Sequence, residues 1–308
     1  EQWPFKPLVR GSSPRAPTSF FYPGLPLIWF LDYSIWMLGA YQNFVWLILL
    51  GIGVVLITRL LLIRGIELIS EAWQMPRKVK GQILGYATST PELVGTVSTA
   101  AKGLIGAGLW NVTASNIINL ILFISAALYF GRSKDLTKRK FIDEMGFALG
   151  AIVLPVILVT REQWAKSPWS ALILFSFFVA YVILDKKFNP PDPDEQKDTA
   201  SNDSSKGFRG IVLILLGIAG IIVAGNYLGG VADSIVKQMN VAEWAVGWIL
   251  GVITSLPELT SFYAVFSLAK EQESDESCQQ NLDNLAASNM SNLGLIYPIG
   301  IIVFLLAT

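Results

Sequence analysis

The chain has 308 residues, a formal net charge of zero, and a composition that is 53% hydrophobic and only 15% charged. A soluble domain usually carries about 25% charged residues, so this is the composition of a membrane protein. The charge balance gives no case for a nucleic-acid partner. The absence of His excludes imidazole ligands and histidine proton relays, and one cysteine, Cys278, cannot form an internal disulfide.

Residues 1–42 are rich in Pro and aromatics, as in Trp3-Pro4-Phe5 and Phe20-Phe21-Tyr22-Pro23, and read as an extended arm. Its apolar stretch, Leu25 to Leu38, is short and interrupted by Asp32, which predicts a segment at the membrane surface rather than a span. Such an arm can anchor to lipid or to a protein partner. Eight spans follow, near 43–64, 78–101, 104–130, 143–160, 167–184, 210–236, 242–269 and 282–306. A bilayer crossing takes about 20 residues, which most of them reach. The polar loop 185–209, rich in Pro, Asp, Ser and Lys, divides them into a first unit, 43–184, with five spans, and a shortened second unit, 210–308, with three. Arg59 and Arg64 are expected to snorkel from the end of the first span. Asp233 and Glu243 fall at span ends and read as interfacial, while Arg132 to Lys140 and Glu271 to Glu276 read as solvated loops.

Spans 2 and 3 carry two patterns that spans 7 and 8 repeat in the same order. Thr88-Ser89-Thr90-Pro91-Glu92-Leu93 returns as Thr254-Ser255-Leu256-Pro257-Glu258-Leu259. Asn111-Val112-Thr113-Ala114-Ser115-Asn116-Ile117-Ile118-Asn119 returns as Asn284-Leu285-Ala286-Ala287-Ser288-Asn289-Met290-Ser291-Asn292. Loops after spans 1, 3, 5 and 7, counted with Arg64, Lys78 and Lys80 at the adjoining span ends, hold fifteen Lys and Arg, against seven in the arm and the other loops. The first set is therefore expected to face the cytoplasm, or the matrix or stroma of an organelle, with the N-terminus on the other side. Which membrane, plasma or organellar, is not encoded. Span 2 then runs outward and span 7 inward, so the two copies are inverted, as in many alternating-access transporters.

The repeated residues suit a cation. Proline removes a backbone donor, so Pro91 and Pro257 free the carbonyls of Ala87 and Ile253 inside the membrane. Glu92 and Glu258 supply anionic oxygens, and Thr88, Ser89, Thr254 and Ser255 add hydroxyls. Asn111, Ser115 and Asn119 are four apart and share one face of span 3, as Asn284, Ser288 and Asn292 do on span 8. From these faces Ser115, Asn119, Ser288 and Asn292 complete an oxygen cage of the kind that Ca2+ takes. Two Glu balance one divalent ion, or two Na+ or two H+ in its place. No nucleophile–base set and no phosphate loop is present, so no enzyme activity and no cofactor is expected beyond the transported ions.

These residues resemble the α-repeats of the Ca2+/cation antiporter superfamily, most closely its sodium/calcium exchanger branch. There each repeat reads roughly GTSxPE followed by GNxxGSNxxN or a version ending in Asp. The resemblance covers spans 1 to 8. It implies an all-α integral membrane protein of inverted-repeat transporter fold, with about eight of the family's ten helices visible and the last two expected to be missing. It also implies alternating access, with Ca2+ and Na+ competing for one central cluster. By position, Glu92 and Glu258 resemble the principal ligands, and Thr88, Ser89, Ser115, Asn119, Thr254, Ser255, Ser288 and Asn292 the supporting shell. Departures are Ala87 and Ile253 for the opening Gly, Ala114 and Ala287 for the Gly of GSN, and Asn292 where sodium/calcium exchangers have Asp. Proton-coupled members often have Asn at that last position, which leaves the driving ion open. Two readings follow: a Ca2+ antiporter driven by Na+ or H+, or a transport-inactive, exchanger-like structural subunit of a larger membrane complex, held through arm 1–42.

Overall fold

The computed structural model describes residues 26–73, 75, 77–132, 142–188, 204–268 and 274–308. The aromatic arm up to residue 25 and the loops 133–141, 189–203 and 269–273 lie outside the described residues, with the expectations attached to them.

Among the described residues every regular element is a helix. α1 (Pro26–Ile57) runs through a π-helical turn, Thr58–Ile63, into α2 (Arg64–Ala72). The stretch expected to lie at the membrane surface is therefore helical and continuous with the first span. The second span is broken into α3 (Arg77–Thr88) and α4 (Thr90–Ala100). α5 (Ile105–Tyr129) and α6 (Ile142–Val159) follow, then a single turn, α7 (Glu162–Ala165), and α8 (Pro168–Phe188). In the second unit α9 (Ser204–Met239) leads to a second broken pair, α10 (Glu243–Thr254) and α11 (Leu256–Leu268). Last come α12 (Ser274–Ser291), a π-helical turn at Asn292–Ile296, and α13 (Tyr297–Ala307).

Each predicted span has a helical counterpart, and among the described residues 6 helices are long and apolar enough to cross a membrane. The exceptions are the α3–α4 pair and α6, whose apolar stretch Glu144–Val159 is short. The protein is an integral, multi-pass membrane protein. Its polarity runs inside out: Leu60, Ile173, Leu215, Ile222 and Tyr227 are exposed on the outside, whereas Asn, Ser, Thr and Glu concentrate in the interior.

Close helix approach depends on paired small residues, because lipid offers apolar chains no drive to leave it. Where α2 meets α9, a Cβ on Gly65 would lie 2.7 Å from the Gly210 carbonyl oxygen, and a Cβ on Gly210 would lie 2.7 Å from that of Gly65. The inverted halves use the same device. Ala114 of α5 packs on Gly251 of α10, and Ala287 of α12 on Gly85 of α3, where an added Cβ would meet the Ala Cβ at 2.7 Å and 2.9 Å. Both departures at the Gly of GSN thus sit opposite a glycine of the other repeat. Ile253, bulky where glycine opens the motif, is received in the same way by Gly51 of α1. We expect Gly251→Ala to destabilise the fold by about 1–3 kcal/mol, since Ala114 and the α5 backbone cannot retreat together. Thermal unfolding in detergent reads this, and an unchanged midpoint would show that α5 and α10 separate freely.

The polar middle is bounded by apolar clusters. Phe123, Phe262, Phe266, Leu282 and Leu285 pack at the end where α5 finishes and α12 starts. Leu47, Leu104, Leu228, Val246 and Leu250 pack at the opposite end.

Candidate functional site

The two broken helices meet the middle of the bundle with one backbone geometry. Ser89 sits between α3 and α4 at φ −80°, ψ 3°, and Ser255 between α10 and α11 at φ −81°, ψ 1°. Pro91 and Pro257 stand at the second position of the restarted helices, where a missing N–H costs nothing. Each break carries a serine hydroxyl close to the carbonyl four residues back, with Ser89 Oγ 3.1 Å from the Gly85 carbonyl oxygen and Ser255 Oγ 2.8 Å from that of Gly251. Glu92 and Glu258 thereby fall in the first turn of α4 and α11, where the positive helix end favours a carboxylate. The carbonyl ends of α3 and α10 arrive at the same level and favour a cation. Broken helices of this kind build midplane ion sites in transporters.

All ten residues singled out from the sequence are no more than 1% exposed, and the fold brings them into two linked sets. In one, Ser115 donates to Glu92 Oε1 (2.6 Å) and shares a hydrogen bond with the Ser255 hydroxyl (2.8 Å). In the other, Ser288 donates to Glu258 Oε1 (3.1 Å) and shares one with the Ser89 hydroxyl (2.9 Å). Each set joins a Glu and a Ser of one repeat to the break of the other repeat. Thr254 faces the Glu92 carboxylate and Thr88 that of Glu258, again across the repeats, and the two carboxylates lie within electrostatic reach of each other.

The amides are oriented from behind. Asn119 donates to the Ser288 hydroxyl (3.3 Å) and to Asn289 Oδ1 (3.2 Å), and Asn292 donates to Asn116 Oδ1 (2.8 Å). Asn116 and Asn289 are themselves reciprocal: each side chain donates to the other's backbone carbonyl at 3.2 Å, where α5 crosses α12. Motif spacing marked these two residues as repeated without showing that they position Asn292 and Asn119. Asn111 likewise acts on the backbone, donating to the Glu92 carbonyl (3.1 Å) and to Thr96 (3.2 Å) while accepting from Thr254 (3.3 Å).

With those bonds made, four wholly buried oxygens of this cluster have no protein hydrogen-bond partner: Glu92 Oε2, Asn119 Oδ1, Glu258 Oε2 and Asn292 Oδ1. Each repeat contributes one carboxylate and one amide oxygen. Oxygens of this kind are hard ligands for Na+ or Ca2+, and the donor set fits such an ion as cargo.

A further carboxylate group escaped the sequence reading. Glu144, near the start of α6, Asp185, near the end of α8, and Asp283, in the middle of α12, are buried with carboxylate oxygens within 4.8 Å of one another. Gln279 donates to Glu144 (2.9 Å) and Asp283 (3.0 Å), and Gln82 donates to Asp185 (2.6 Å). Their positions near the predicted span ends resemble an ordinary interfacial charge, and nothing in their spacing shows that three helices bring them together.

The chain is 32% identical over 117 residues to the sodium/calcium exchanger MaX1 of Methanosarcina acetivorans, a match spanning 37% of this chain and 33% of that protein. It is 23% identical over 227 residues to CaxA of Alkalimonas amylolytica, covering 72% of this chain and 68% of that one. Its fold is similar to the crystal structure of the H+/Ca2+ exchanger CAX, with a TM-score of 0.62 at 17% identity over 90% of this chain and 72% of the other. With its sequence matching the sodium/calcium exchanger family over residues 43–185 and 209–307, on both sides of the polar loop, the chain belongs to that family.

Proposed function

We propose that the chain is a secondary active antiporter that exchanges Ca2+ for Na+ or H+ by alternating access. Glu92 and Glu258 are the principal ligands in this reading. Asn119 and Asn292 complete the cage, and Thr88, Ser89, Ser115, Thr254, Ser255 and Ser288 hold it in shape. The observation that carries the proposal is the set of four buried, unpartnered oxygens, two from each inverted repeat. Two carboxylates buried without a counter-ion cost several kcal/mol. One Ca2+ cancels their charge, as do two monovalent ions, so either load leaves the interior near neutral and the empty site is the costly form. That is the energetic condition for exchange rather than leak. Burial of the cluster from both ends suits an occluded stage between inward and outward openings.

The test is Ca2+ uptake into proteoliposomes holding the purified chain, first under a Na+ gradient and then under an H+ gradient. Uptake driven by one of them establishes exchange and names the coupling ion. Folded protein with no uptake under either gradient sinks the proposal and leaves the structural-subunit reading.

A further inference from the structure

The face of α12 that carries Ser288 and Asn292 continues past the central cluster. Asn281 and Asn284 lie on it, three and four residues apart in succession with Ser288, so the row runs toward the end of the bundle where α12 begins. At 1.5 Å per residue Asn284 stands about 6 Å and Asn281 about 10 Å from Ser288 along the helix. Both are buried, at 0% and 2% exposure. Each amide nitrogen is held by α11: Asn281 donates to the Phe262 carbonyl (3.2 Å) and Asn284 to the Ser261 hydroxyl (2.9 Å). With the nitrogens turned to α11, neither Oδ1 has a hydrogen-bond partner. Asn284 Oδ1 lies against α3, 3.2 Å from where a Cβ on Gly85 would stand.

The inverted repeat has no such row. By motif position Asn284 corresponds to Asn111, and three residues earlier Asn281 corresponds to Gly108. Asn111 uses its whole amide, on the Glu92 carbonyl, Thr96 and Thr254. Gly108 is closed over by Thr96 and Thr99. A purely structural amide would be satisfied on both ends, and each buried oxygen left over carries its desolvation cost without a compensating bond. One half of a doubled fold therefore keeps two such costs that its twin avoids, in line with the central ligands.

We propose that Asn281 and Asn284 form a second cation position between the central carboxylates and that end of the bundle, and that it takes a monovalent metal cation of the sodium class. The inference rests on the transport reading above. The ligand chemistry selects the ion. An amide oxygen coordinates a hard cation but does not take up a proton at ordinary pH. A site with no charge of its own also leaves a divalent ion uncompensated in a medium where desolvation is heaviest for the higher charge.

Thermal unfolding of the full chain in detergent tests this, with Na+ titrated against choline at constant ionic strength. A cation that binds only the folded state raises the midpoint in proportion to its occupancy. The double variant Glu92→Gln/Glu258→Gln removes the central charges and is expected to keep a Na+-specific shift. Adding Asn281→Leu or Asn284→Leu is expected to abolish it. Asn284→Asp keeps an oxygen in place while losing the amide donor to Ser261, and it is expected to bind Na+ at least about tenfold more tightly, as added ligand charge does. Three results overturn the proposal: no Na+-specific shift in the double variant, a shift that survives either Leu substitution, or an Asp variant that behaves as the Leu one. The last would mean that the row serves only its bonds to α11. Ca2+ binding by the wild type and its loss in Glu92→Gln report on the central cluster separately, so either idea can fail alone.

Discussion

Glu92→Gln and Glu258→Gln are each expected to reduce Ca2+ exchange by at least about a hundredfold while leaving the protein folded. Glutamine preserves the shape of the side chain and one carbonyl oxygen, so Ser115 can still donate to position 92 and Ser288 to position 258. Only the charge goes. With one carboxylate left, a bound Ca2+ carries an uncompensated positive charge inside the bundle. Breaking a buried pair in this way costs about 3–5 kcal/mol, and about 1.4 kcal/mol is a factor of ten in affinity. The folded state gains from the same change, because the vacant cluster then buries one carboxylate fewer. Transport should therefore collapse while thermal stability without Ca2+ holds or rises. Proteoliposome flux and unfolding on the same preparations check both halves, and normal flux in either variant would remove that Glu from the ligand set.

Asn116→Leu is expected to cost both stability and affinity, although Asn116 supplies no oxygen to the cage. Its side chain donates to the Ala151 carbonyl (2.7 Å) and the Asn289 carbonyl (3.2 Å) and accepts from Asn292 (2.8 Å). Interhelical hydrogen bonds in membranes average about 0.6 kcal/mol and reach about 1.7, so losing three costs about 2 kcal/mol. The larger consequence is local. Asn292 Nδ2 loses its anchor and competes for the same space as its own Oδ1, so the amide no longer presents an oxygen inward. Ca2+ affinity should fall about tenfold, the effect of losing about 1.4 kcal/mol of preorganisation. Asn289→Leu should act alike on Asn119, whose amide it holds at 3.2 Å. Equilibrium binding of radioactive Ca2+ reads the affinity. A variant that loses stability but binds normally would make Asn116 a tie between helices and nothing more.

Much of this was legible before any coordinates. The eight apolar segments announce the spans, and the doubled TSxPEL and NxxASNxxN patterns announce two equivalent breaks and two equivalent polar faces. The ten residues chosen on that basis all lie in the buried middle. Proline chemistry located the breaks to within a turn. They fall at Ser89 and Ser255, two residues before each proline, because the proline itself fits the restarted helix. The start of the first helix was not legible: Asp32 and the prolines around it suggested a surface segment, whereas α1 runs unbroken from Pro26.

What the sequence determined by itself was everything that one helix can encode: where apolar length suffices to cross, where the backbone must break, and which residues share a face. Those properties depend on spacing along the chain, and spacing is written there. Only the tertiary structure decided which atoms remain without a partner. Asn116 and Asn289 meet across 173 residues, Ser115 and Ser255 across 140, and Glu144 and Asp283 converge from separate helices. A hydrogen bond is a relation between two surfaces brought together by helix crossing. The glycine–alanine contacts that set those crossings join the two repeats, and no period within either repeat contains them.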